Sequence, residues 1–155
     1  MNKVRIHGIK YMIFAVRHAE RADRTPEPPP IDIAFDPHIT ERGILQARRA
    51  GKKIAQTIEA HVEVDEIVIY SSPFLRCLMT AASIRQEIAE RHPDKPSKIL
   101  LNNMLTESLI TKYYDKDPHD DLYVKTKSPD EVQLMLSEQD HCWKQEKELG
   151  HPHFP

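Results

Sequence analysis

Apolar and polar positions alternate between two kinds of pattern along this chain. Lys10-Tyr-Met-Ile-Phe-Ala-Val16 is a continuous apolar run rich in β-formers and bounded by charge, too uniform for a half-exposed strand, and it predicts a buried central strand. From Thr40, a good helix N-cap, Ile44, Ala47, Gly51, Ile54 and Ile58 recur at spacings of three or four, which predicts a helix over about 40–60. Val64 to Tyr70 is a second apolar, β-rich run. Ser72-Pro73 at its end reads as an N-cap followed by proline at the first helical position. Leu75, Leu78, Met79, Ala82 and Gln86 then mark one face of a second helix ending near His92-Pro93, and Ile99 to Leu101 offers a third short strand. Beyond Leu109 the pattern weakens. Asp115 to Asp121 is acidic and turn-like, while Ser128-Pro129-Asp130-Glu131 resembles a helix start with Val132, Leu136 and Trp143 along one face. Strand, helix, strand, helix, strand predicts one α/β domain over residues 1–155, a three-layer α/β/α arrangement with a mainly parallel sheet.

Composition narrows the function classes. The 155 residues carry 22 Lys+Arg against 24 Asp+Glu, a net charge of −2, which leaves no whole-chain electrostatic footprint for nucleic acid or an anionic membrane. The apolar run at 11–16 is far too short to cross a bilayer, and the charged start leads into no signal-type segment, so a cytoplasmic protein is expected. Two cysteines, Cys77 and Cys142, show no zinc-ligand spacing and cannot make a disulfide scaffold; no metal and no cofactor are expected. Twelve prolines against four glycines mark loops, above all at 26–37, where a long extended excursion separates the first strand from the first helix.

The chemistry-bearing residues gather where strands end. Arg17-His18-Ala19-Glu20-Arg21 follows the first predicted strand, the edge at which open α/β sheets place their functional groups. Guanidinium forks match phosphoryl oxygens and imidazole attacks or transfers a proton, although an arginine–histidine pair at a strand end is more often solvated than catalytic. A second cluster, Ser71-Ser72-Pro73-Phe74-Leu75-Arg76, follows the second strand and puts Arg76 in the first turn of a helix. A helix N-terminus already attracts anions, and a good helix start alone does not explain a cation there.

Taken together, Val16-Arg-His-Ala-Glu-Arg21, then Asp36-Pro-His-Ile-Thr-Glu-Arg-Gly43 with Gln46-Ala47, then Tyr70-Ser-Ser-Pro-Phe-Leu-Arg-Cys-Leu-Met-Thr-Ala81 resemble the histidine phosphatase superfamily, the phosphoglycerate mutase-like proteins. The arginine three residues after the histidine, and Arg76-Cys77 after Ser71-Ser72-Pro73, look most like the TULA (STS) phosphatase domains. The resemblance is good over about 10–110 and poor beyond. It implies that His18 is a nucleophile that becomes transiently phosphorylated, that Arg17, Arg21 and Arg76 hold the phosphoryl oxygens, and that Glu107 protonates the leaving group. Glu107 reads equally well as an ordinary exposed glutamate. Cys77 is expected to be structural, because a cysteine-phosphatase loop would need glycines and a terminal arginine around it.

Two departures stand beside the resemblance. Ala19 replaces the glycine usual after the nucleophile, and the family's second histidine has no evident counterpart, since His119, His141, His151 and His153 follow no buried strand. The expectation is therefore a domain incomplete at its C-terminus as a partial product of a longer gene, with different packing of the C-terminus or pairing with a partner as the alternatives. The leading functional expectation is phosphomonoester hydrolysis through phosphohistidine on a small molecule or a phosphoprotein. The alternative is an inactive phosphate-binding or interaction module, with a mutase a third option; an oligomer is compatible with each.

Overall fold

The computed structural model describes residues 11–31, 33, 35–61, 64–107 and 127–137. In chain order the main elements are α1 (Glu41–His61), β1 (Ile67–Ser71), α2 (Leu75–Arg91) and β2 (Ser97–Leu101), with 3-10 turns at Ala22–Arg24 and Asn103–Leu105 and a helical segment at 129–137. The two strands are parallel, in register from Ile67 opposite Ser97 to Ser71 opposite Leu101, and α2 makes the crossover between them. The α/β class and the parallel pairing are as the sequence predicts.

Local chemistry explains where α1 and the segment 129–137 begin. Thr40 caps α1: its Oγ1 accepts from the Gly43 N–H at 2.9 Å, satisfying one of the orphan amides of the first turn. The apolar stripe then buries Ile44, Ala47, Gly51, Ala55 and Ile58. At Gly51 a Cβ would lie 2.8 Å from the Ile84 carbonyl oxygen, so the missing side chain sets how closely α1 approaches α2. The segment 129–137 opens on a reciprocal capping box, in which Glu131 Oε2 accepts from the Ser128 N–H and Ser128 Oγ accepts from the Glu131 N–H. Its Val132 and Leu136 join Ile39, Ile44, Leu78, Met79 and Ile99 in the main core.

Helix α2 begins two residues later than the Ser72-Pro73 signal predicts. Phe74 occupies the cap position without capping, its side chain buried against Phe35, and the cap arrives from elsewhere: Asp36 Oδ1 accepts from the Leu75 N–H at 2.7 Å. A carboxylate is a stronger partner for the positive end of a helix than a serine hydroxyl, which is why the distant group wins over the local one.

The run at 11–16 departs from the expected buried strand. Residues 11–20 carry no strand pairing, and Tyr11 and Ile13 are 76% and 81% exposed, with Phe14 and Val16 also exposed. A β-rich composition becomes a strand only beside a neighbour with free backbone groups, and among the described residues β1 pairs with β2 alone. On the two strands that do form, side chains alternate: Ile69 and Ile99 face the helices, whereas Tyr70 and Leu100 are exposed. His119, His141, Cys142, Trp143, His151 and His153 lie outside the described residues. No described helix is long and apolar enough to cross a membrane.

Candidate phosphoryl site

The first motif is fastened at both ends. The proline-rich excursion closes on itself, since the Ala22 N–H donates to the His38 carbonyl and the Thr40 N–H to the Glu20 carbonyl, both at 3.0 Å, making an antiparallel bridge between Arg21 and Ile39. Glu20 Oε2 accepts from the Thr40 hydroxyl, and the Glu20 N–H donates to Gln46 on α1. Gly43 permits this approach: a Cβ there would sit 2.8 Å from the Glu20 carbonyl oxygen. The motif thereby lies against the start of α1.

A second tie runs to α2. The Ala19 N–H donates to Thr80 Oγ1 at 3.0 Å, and the Thr80 hydroxyl donates to the Arg76 carbonyl at 2.7 Å. One threonine side chain therefore couples the residue after His18 to the helical turn that carries Arg76. His18 is half-buried and its Nδ1 lies 2.8 Å from the Ala19 carbonyl oxygen. A carbonyl can only accept, so Nδ1 carries the proton in this contact, and in the neutral ring Nε2 keeps the lone pair.

Arg76 is the most deeply placed cation of the site, 1% exposed. Its Nη1 donates to the Phe35 carbonyl at 3.3 Å and lies 3.7 Å from Asp36 Oδ1; its Nη2 donates to Glu107 Oε1 at 2.6 Å. The guanidinium carbon stands 4.2 Å from the centre of the Phe74 ring, while Nε is buried with no hydrogen-bond partner. A guanidinium so enclosed, with one donor unmet and another held by a half-exposed carboxylate, is a fixed cation whose outer donor can be exchanged.

Asp36 holds this cation from the loop side. Burial raises its pKa to about 6 against the lowering effects of the Leu75 N–H, of Arg76 and of Arg21, with Glu107 adding a further upward push. That Arg21, Arg76 and Glu107 all act on Asp36 places the four groups in one electrostatic neighbourhood. Arg21 grips Asp23 with two hydrogen bonds at 2.9 and 2.7 Å, which hold the Asp23 carboxyl below its usual range. Burial pushes the Cys77 thiol up, away from the thiolate that nucleophilic cysteine chemistry requires.

The structure thus brings Arg76 and Glu107 into direct contact, puts Arg21 within electrostatic reach of Asp36 beside them, and links His18 to the Arg76 turn through Ala19 and Thr80. Arg17 is exposed. Asp36 and Thr80 are the residues that the site-residue reading of the sequence passes over. For Asp36 the available signal is a carboxylate set between Phe35 and Pro37; for Thr80 a polar residue on the inward face of α2. Among the described residues no group of three or more His, Cys, Asp or Glu is placed to hold a metal ion.

No curated protein matches the chain. The family model of the histidine phosphatase superfamily, branch 1, matches residues 13–103. That span covers more than half of the 155 residues and takes in the His18 motif, the loop clasp, both strands and the Arg76 helix, so the chain belongs to the histidine phosphatase superfamily.

Proposed function

We propose that this chain is a phosphomonoester hydrolase in which His18 is the nucleophile, Arg17, Arg21 and Arg76 bind the phosphoryl oxygens, and Glu107 is the acid for the leaving group. Membership of the superfamily supports phosphatase-like chemistry at the general level. The observation that carries the specific reading is the hydrogen-bond relay Ala19–Thr80–Arg76, which gives the imidazole and the buried guanidinium a common anchor. The finer likeness, to the TULA (STS) type, rests on Arg21 three residues after His18 and on Arg76-Cys77 after Ser71-Ser72-Pro73.

In the first half-reaction His18 Nε2 attacks phosphorus in line with the ester oxygen. The P–N bond forms as the P–O bond to the alcohol breaks, and Glu107, protonated, gives its proton to the departing oxygen. In the second, water attacks the phosphohistidine, Glu107 takes up a proton, and inorganic phosphate leaves. The arginines neutralise charge on the equatorial oxygens, the largest electrostatic demand of such a transfer. Substrate entry has a cost specific to this site: Arg76 Nη2 is on Glu107, so a phosphoryl oxygen must replace that carboxylate. The exchange frees the Glu107 carboxylate beside the leaving group, where it takes the proton carried in by a monoanionic phosphomonoester and then gives it to the departing oxygen.

The test is hydrolysis of 4-nitrophenyl phosphate measured beside phosphate titration, for the chain and for His18→Ala. Turnover that disappears in His18→Ala, with phosphate affinity kept, is expected. Undiminished turnover in His18→Ala refutes the assignment, and phosphate binding with no turnover in either protein assigns the pocket to recognition alone.

A further inference from the structure

Beside Arg76 lies a cavity of about 470 Å³ that the phosphoryl chemistry does not use. Pro30, Ile31 and Ile33 of the proline-rich loop and Leu75 at the start of α2 give it an apolar wall, and Asp36 is part of its lining. Asp36 and Leu75 fix its position relative to the cation. Asp36 Oδ1 bonds the Leu75 N–H and stands 3.7 Å from Arg76 Nη1, so one carboxylate separates the cavity from the guanidinium. His38 and Lys127 complete the lining.

The volume falls within the range of small-molecule sites, and the wall chemistry is that of a body-binding pocket: several apolar side chains beside a few polar groups that orient the guest. We propose that this cavity is the leaving-group subsite and that the chain selects phosphomonoesters whose alcohol is a small apolar body, such as an alkyl chain. The inference rests on Arg76 as a phosphoryl-binding group. A phosphoryl group on Arg76 has Asp36 as its neighbour, and on the other side of Asp36 this partly open cavity offers apolar wall to an ester substituent. Asp36 itself is an unsuitable neighbour for a second anionic group, which sets the preference toward an uncharged substituent. Ile31 and Ile33 are half-buried, so both have apolar area still to lose to a guest.

The experiment uses n-alkylphosphonates from methyl to hexyl, which cannot be hydrolysed, so binding is read whether or not the chain turns over. Titration calorimetry on the full chain is expected to show affinity rising about fourfold per added methylene until the cavity is filled. Ile33→Asn, polar but uncharged, flattens that series while leaving methylphosphonate affinity unchanged, and Ile31→Asn does the same should Ile33→Asn fold poorly. A flat series in the unaltered chain, with methylphosphonate bound, overturns the subsite and leaves the phosphatase reading intact. A slope that survives both substitutions also overturns it. Failure to bind methylphosphonate and inorganic phosphate alike removes the anion site and the inference with it.

Discussion

Asp36 supplies a quantitative test because its two duties oppose each other. It caps α2 and faces Arg76, yet it does so from a site only 8% exposed, and burial lifts its pKa from the ordinary 3.8 to about 6. A carboxyl whose folded pKa is raised favours the folded state most below its unfolded pKa. That contribution is lost as pH rises through the folded pKa, because the unfolded chain ionises first. Above about pH 6 the accumulated penalty is about 3 kcal/mol, from 1.36 kcal/mol per pKa unit. Asp36→Asn keeps an oxygen for the Leu75 N–H and removes the titration. Urea unfolding at intervals between pH 3.5 and 8 is therefore expected to show the variant close to the parent at the acid end and more stable by about 3 kcal/mol at neutral pH. The gap should open between about pH 4 and 6. A difference that does not change with pH, or a variant less stable at pH 7, would show that the Arg76 partnership outweighs the cost of burial and would refute this reasoning.

Three further substitutions address separate parts of the site. Glu107→Gln weakens the charge competing for Arg76 Nη2, so phosphate affinity should rise while turnover of alkyl phosphates falls far more than turnover of 4-nitrophenyl phosphate, whose leaving group needs no acid; steady-state kinetics and titration read the split. Thr80→Val preserves shape but leaves the Ala19 N–H without its acceptor, and should cost about 1–3 kcal/mol in denaturant unfolding together with a fall in kcat. Gly43→Ala and Gly51→Ala each press a Cβ onto a backbone oxygen at 2.8 Å and should each cost about 1–3 kcal/mol, but Gly43→Ala alone should also alter kcat/KM, because Glu20 is its neighbour.

What was legible in the sequence follows the range of the forces involved. Thr40, the three-and-four spacing through Ile58, and the capping box at Ser128 and Glu131 act within a few residues, and all appear where their local chemistry places them. The Ser72-Pro73 signal places the start of α2 two residues early, because its cap comes from Asp36, a partner 39 positions upstream that no local signal reveals. The run at 11–16 departs from its expected strand for a related reason. Composition measures how well side chains suit a sheet, whereas a strand depends on a neighbour's backbone, and the described sheet pairs β1 with β2 only. Motif order points to Arg76 and the resemblance to Glu107; the structure joins these two side chains at 2.6 Å, but the groups that anchor them are non-local. Asp36 and Thr80 act through contacts across 39 and 61 residues, to Leu75 and Ala19.

The central claim is chemical: phosphoryl groups pass through Nε2 of His18, the ring nitrogen that the Ala19 carbonyl leaves unprotonated. The direct measurement is rapid quenching of the chain during turnover of a phosphomonoester, followed by mass spectrometric mapping of the acid-labile phosphate under alkaline conditions. The account predicts phosphate on the peptide containing His18, bonded at Nε2, and none in His18→Ala. Turnover with no phosphoenzyme, or phosphate mapped to another residue, would contradict it.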